Sequence, residues 1–298
     1  MKKITDILKE KDFTISVELV PPRNGEGKKD ILSKIDSLKG KVDFVSITKG
    51  AGGSLRGGTL PLSVYSNDND IIALSHFVCR ERTKAEIEND IIDLYYADIN
   101  NVLALRGDPP AGAKDEVWDG DYKYAYLLVK QIADLNKGHY LPRKNMDGGE
   151  FRGGVKTEFC IVVAGHPEDP ISDEIEHIKA KVDAGATVII TQMVFSFEDY
   201  KEYVENLRKA NIKIPVIAGV RPLISSKQAE SVEKFFGLKV NPELKDGLNN
   251  AASEEEAHKF GVSYTIDFIK KLKGFCAPGV HLFVLNDVEL VDEILEKI

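Results

Sequence analysis

Short apolar runs rich in β-branched residues alternate along the chain with longer stretches whose apolar positions repeat with helical spacing. The pattern predicts strands at 13–20, 43–48, 71–78, 101–107, 159–165, 187–194, 214–220 and 279–285. It predicts helices at 28–39, 84–97, 121–135, 172–184, 197–210, 226–237, 253–273 and 287–297. Several of the strands are apolar almost throughout, as expected of a parallel sheet covered by helices. Eight such strands in regular alternation with helical stretches, with no repeat of solenoid length and no Pro/Gly/Ser-rich linker, predict an α/β fold. Its form is a single (β/α)8 TIM barrel spanning residues 1–298. The polar stretch 136–156, with its Asp-Gly and Gly-Gly steps, predicts a loop or hairpin inserted on the N-terminal side of the barrel before strand five.

Barrels of this kind carry their chemistry at the C-terminal ends of the strands, where the sequence places a polar residue eight times over. Glu18 stands near the end of strand one, Thr48-Lys49 after strand two and His76 on strand three. Arg106-Gly107-Asp108 follows strand four, and His166 follows strand five. Gln192 lies on strand six, Arg221 after strand seven and Asn286 after strand eight. In strand one, Phe13, Ile15, Val17 and Leu19 should face the helices, leaving Thr14, Ser16, Glu18 and Val20 facing the interior. A carboxyl in that position is either a desolvated general acid or a structural partner of Arg or Lys. Strand one alone does not decide between them. Arg106-Gly107-Asp108-Pro109-Pro110 reads as a turn closed by an Asp-Arg pair or as a stiff ligand-facing turn. After His166, Ser172 is the expected N-cap of a helix on which Glu174, His177 and Lys181 share one face. That face lines a ligand groove or is simply solvated.

Composition narrows the class. A net charge of −8 argues against nucleic-acid and anionic-membrane partners, which need concentrated positive charge. Three scattered cysteines and six histidines without HxH or HExxH spacing point away from disulfides and away from a metal site. The glycine-rich stretches Gly50-Ala51-Gly52-Gly53 and Gly148-Gly149 match neither GxGxxG nor a Walker loop, and no GxSxG elbow occurs. The charged start MKKITDILKEKDF lacks the apolar core of a signal peptide. The expectation is a soluble, cytoplasmic enzyme; its helical exterior would permit a homo-oligomer.

Six motifs then occur in a fixed order: Val17-Glu18-Leu19-Val20-Pro21-Pro22-Arg23, Val45-Ser46-Ile47-Thr48, Leu105-Arg106-Gly107-Asp108, Gly165-His166-Pro167-Glu168, Lys181-Val182-Asp183-Ala184-Gly185-Ala186 and Thr191-Gln192. Together they resemble the methylenetetrahydrofolate reductase family from about residue 13 to Asn286. The resemblance implies an FAD barrel that takes hydride from NAD(P)H and reduces 5,10-methylenetetrahydrofolate to 5-methyltetrahydrofolate. It implies that Glu18 is the general acid that protonates N10, and that Asp108 tunes flavin electrostatics and folate binding. It aligns Thr48, His76, Arg106, Gly107, Asp108, His166, Glu174, His177 and Lys181 with cofactor-binding positions. Gln192 aligns with a folate-contacting glutamine. The sequence departs from bacterial members at Met193, Ser226, Arg221 and Asp287, around the pocket that donor and folate share. Those departures leave the donor open between NADH, NADPH and a protein partner. Alternatives are a proline-dehydrogenase-like FAD barrel with another substrate, a flavin subunit of a larger redox complex, and a flavin-free lyase using Glu18 and His166.

Overall fold

In the computed structural model, which describes residues 2–50, 56–108, 119–142 and 150–298, eight parallel strands close on themselves. They are β1 (Thr14–Leu19), β2 (Phe44–Ile47), β3 (Ala73–Val78), β4 (Asn101–Leu105), β7 (Cys160–Gly165), β8 (Val188–Met193), β9 (Val216–Val220) and β10 (Gly279–Phe283). The ring is sealed where β1 pairs with β10, Thr14 opposite Gly279 and Glu18 opposite Phe283. All eight predicted strands are present, each trimmed by a residue or two at its ends, and the (β/α)8 barrel is the fold. Within the 136–156 stretch, β5 (His139–Tyr140) and β6 (Arg152–Gly153) pair antiparallel between α5 (Ala125–Asn136) and β7, which is the hairpin expected on the N-terminal side. Ala51-Gly52-Gly53, Pro109-Pro110 and Gly148-Gly149 lie outside the described residues.

The eight predicted helices form as α2 (Lys29–Ser37), α4 (Lys84–Tyr96), α5, α6 (Ile171–Ala184), α7 (Phe197–Lys209), α8 (Ser226–Phe236), α10 (Glu254–Gly274) and α11 (Val288–Leu295). Three others escaped the periodicity. In α1 (Ile4–Glu10) only Ile4 and Ile7 are buried among charged neighbours, too few for an amphipathic signal. In α3 (Thr59–Asp68) the buried face is polar, and the hydroxyls of Ser63 and Ser66 donate back to the carbonyls of Thr59 and Leu62 at 2.8 and 2.9 Å. In α9 (Pro242–Asn250) Gly247 interrupts the apolar pattern, because a Cβ there would sit 2.0 Å from the Phe260 ring. The expected cap Ser172 is a correction: α6 begins one residue earlier, Pro170 holds the cap position, and the Ser172 hydroxyl donates to Asp173 instead.

The alternation read in β1 is realised. Val17 and Leu19 pack outward with Ile31 and Ile35 of α2 in the core between barrel and helices. Inside the barrel, the N-terminal half is filled by Phe44, Leu74, Leu103, Val162, Val188, Ile190 and Ile217, with Ile4 and Ile7 of α1 packed among them. Helix α1 thus stoppers that end, and its docking is fixed by Ile4 N–H donating to Asn101 Oδ1 at 2.8 Å. On the opposite side of the ring the β8–β9 register slips between Ile190 and Met193. Gly219 allows the slip, since a Cβ on it would lie 2.2 Å from the Thr191 carbonyl oxygen.

Ile4 is completely buried, so Ile4→Ala should cost about 2–4 kcal/mol of stability in denaturant titrations. A loss well below about 1 kcal/mol would show that α1 does not belong to the barrel core.

Candidate active site

Above the apolar filling, the interior becomes polar one layer at a time. His281 on β10 is buried, its Nδ1 2.8 Å from Ser16 Oγ on β1 and its Nε2 3.1 Å from Ser46 Oγ on β2. The imidazole therefore spans three adjacent strands, with Phe44 stacked on it at 6.2 Å and Phe283 edge-on at 5.1 Å. Burial and the neighbouring His76 push its pKa down to about 3, so it is neutral and uses one nitrogen as donor and the other as acceptor. Sequence reading did not single it out: a lone histidine in an apolar strand gives no signal until the strands beside it are known.

Glu18 and His76 occupy the next layer, facing the C-terminal mouth. The Glu18 side chain keeps 17% of its exposure and His76 only 6%, with Oε2 and Nε2 3.8 Å apart. That is beyond hydrogen-bond range, and the two groups are not an ion pair either. Burial raises the Glu18 pKa to about 8 against the opposing pull of Arg221, and burial lowers that of His76 to about 3. At neutral pH the carboxyl holds its proton and the imidazole is uncharged. Thr48, also buried, and His76 each keep a polar atom (Oγ1 and Nε2) without a hydrogen-bond partner among the described residues, at neighbouring strand ends.

Gly107 follows β4 with φ +94°, and a Cβ would meet Val78 Cγ1 at 2.3 Å, so this backbone is pressed against β3. Its neighbours diverge: Arg106 Nε donates to the Lys123 carbonyl at 3.2 Å, whereas Asp108 is exposed. At the end of β7, His166 Nδ1 lies 3.1 Å from Glu168 Oε1. Burial disfavours its charged form, but the hydrogen bond and charge of Glu168 together with the Glu174 carboxylate outweigh that and raise its pKa.

The Glu174, His177 and Lys181 row is split by the fold. Glu174 is fully buried, and its Oε1 accepts from His166 N–H at 2.8 Å and from the Tyr203 hydroxyl of α7 at 2.7 Å. It is a tie between β7, α6 and α7. Lys181 Nζ donates to the Ala164 carbonyl at 2.8 Å, and His177 is exposed. Gln192, at the β8 slip, turns its Oε1 back to accept from Met193 N–H at 3.0 Å. The structure thus gathers Glu18, His76 and Thr48 closely, sets Arg106, Gly107 and Asp108 beside them, and places His166, His177 and Lys181 along the β7–α6 side.

Among the described residues no helix is long and apolar enough to cross a membrane, and no group of three or more His, Cys, Asp or Glu is placed to hold a metal ion. The profile of the family described as methylenetetrahydrofolate reductase matches residues 3–298. Methylenetetrahydrofolate reductase 1 of Schizosaccharomyces pombe is 30% identical over 312 residues, covering 99% of this chain and 48% of the yeast protein. The chain thus spans about half the length of that relative. The 5,10-methylenetetrahydrofolate reductase of Escherichia coli is 28% identical over 289 residues, covering 93% of this chain and 88% of that one. A solved structure of an uncharacterized Clostridium thermocellum protein, described as binding two copies of 5-methyl-5,6,7,8-tetrahydrofolic acid, superposes with a TM-score of 0.63. It shares 18% identity and covers 98% of this chain and 97% of its own, a likeness of fold.

The raised pKa of Glu18 has a consequence for stability. Its unfolded value is near 4.5 and its folded value about 8, so the folded protein binds the proton more tightly. The resulting stabilisation is full below pH 4.5 and is lost as pH rises through 8. Glu18→Gln, which cannot ionise, should gain on the wild type over that range by on the order of a few kcal/mol, levelling off above it. Melting curves of the two proteins that stay parallel across this range would contradict a protonated Glu18.

Proposed function

Because the chain belongs to the methylenetetrahydrofolate reductase family, we propose that it reduces 5,10-methylenetetrahydrofolate to 5-methyltetrahydrofolate with FAD as cofactor and Glu18 as general acid. The observation that carries this reading is the Glu18 carboxyl itself, held neutral by burial yet still 17% exposed at the one polar end of the barrel. A general acid works best when its pKa lies near the working pH, and a carboxyl at about 8 keeps its proton until a basic nitrogen is brought to it. Proton transfer from Glu18 to N10 breaks the N10–methylene bond and leaves an iminium at N5. Hydride addition to that carbon gives the methyl group. When bound, FAD supplies that hydride, having received it from a reduced nicotinamide donor.

The residues fit a flavin. Thr48 Oγ1 and His76 Nε2 are buried polar atoms without partners at adjacent strand ends, as expected of groups completed by a ligand. Close packing of Gly107 on β3 fixes the turn that carries Arg106 and Asp108. His166, His177 and Lys181 are assigned to the cofactor's phosphate and adenosine side. Glu174 is assigned to holding the β7 exit in place through His166 and Tyr203, in keeping with its burial. Asp108 is assigned to the flavin–folate boundary and Gln192 to folate. His76, neutral at every working pH, adds no charge that would draw the proton off Glu18.

Glu18→Gln should lower the rate at which methylenetetrahydrofolate reoxidises the reduced flavin by about 100-fold or more, with the flavin absorption band retained. Stopped-flow traces at wild-type speed would eliminate the acid role. Asp108→Asn should slow the same half-reaction with flavin still bound, and unchanged kinetics would remove Asp108 from the site.

A further inference from the structure

Arg221 follows β9 directly, and the register sets its direction. Ala218 and Val220 pack in the outer core and Ile217 in the interior, so Arg221 takes the inward parity at the mouth. Val220 pairs with Leu282 and Phe283 pairs with Glu18. Continuing by one residue puts Arg221, Phe283 and Glu18 in one row across three strands, so Arg221 and Glu18 stand two strand spacings apart, about 10 Å. Its partly buried guanidinium makes no hydrogen bond and no ion pair within 4.0 Å among the described residues. It lies 5.9 Å from the centroid of the Phe236 ring on α8, and that ring is 51% exposed. A cation held on an aromatic face at the rim, facing a polar chamber whose Glu18 carboxyl keeps its proton, is placed to meet an incoming anion.

We propose that Arg221, roofed by Phe236, recognises the carboxylate of the substrate's aminobenzoyl-glutamate tail and thereby sets specificity for folates over bare pterins. The assignment rests on the folate reading above and extends it to a residue that reading leaves idle. A folate whose N10 lies at Glu18 carries its nearest carboxylates beyond a rigid para-substituted ring, a span that the two strand spacings to Arg221 and the reach of its side chain accommodate. Phe236 offers that benzoyl ring a face on the way.

The test compares two probes on the flavin-loaded protein by calorimetry: 5-methyltetrahydrofolate monoglutamate and a methyl-tetrahydropterin lacking the tail. The wild type should bind the tail-bearing probe more tightly. Arg221→Gln should erase about tenfold or more of that advantage, and Arg221→Lys should restore part of it. Added salt should weaken the tailed probe in the wild type and much less in Arg221→Gln. Equal losses for both probes, a lysine variant no better than glutamine, or a loss falling on NADH rather than on the tailed probe would overturn the proposal. If the wild type binds neither probe, the folate reading fails with it. If it binds both with no advantage from the tail, only the role of Arg221 fails.

Discussion

A closed ring of strands with one end stoppered leaves its interior a single opening to water. Ile4 and Ile7 of α1, together with inward side chains of the strands, fill the N-terminal half with apolar groups. Every inward polar group on the strands must then either find a partner inside or lie toward the mouth. Both solutions are present. Ser16, Ser46 and His281 satisfy one another in the middle layer, while Glu18, His76 and Thr48 occupy the layer above, where His76 and Thr48 keep unsatisfied atoms. The unusual protonation of Glu18 follows from its depth in this gradient; no anionic neighbour is needed to explain it.

The gradient also sorts the charges. Two imidazoles with pKa near 3 stay neutral, so charge at the mouth is decided by Glu18 and the cations around it. Burial and the attraction of Arg221 act on Glu18 in opposite directions, and burial prevails. Arg221 therefore faces a carboxyl that keeps its proton, and the attraction between the two is too weak to ionise it.

How much of this was legible in the sequence depended on how local the cause was. The strands were readable because both faces of each are buried, which writes an apolar run into the chain. Glu18 was readable because β1 alternates cleanly enough to fix which way it points. Helices α1 and α3 were not, because one buries only two isoleucines and the other buries serines satisfied by its own backbone carbonyls. The spacing of Glu174, His177 and Lys181 put them on one face of α6, a row that the fold splits between interior and solvent. It could not tell that Tyr203, from the next helix, would reach Glu174 and draw it into the interior. His281 was invisible for the same reason, since its partners lie on strands more than 200 residues away in sequence.

The slip between β8 and β9 has an evolutionary side. Gly219 cannot take on a side chain without striking the Thr191 carbonyl, so the frame of the mouth has few mutational exits at that point. Two residues on, Arg221 stands partly buried at the rim beside an exposed ring. A lineage can thus rewrite the charge presented to incoming molecules while the scaffold that aims it is held nearly immobile. Ligand preference in such a barrel is free to drift faster than its chemistry.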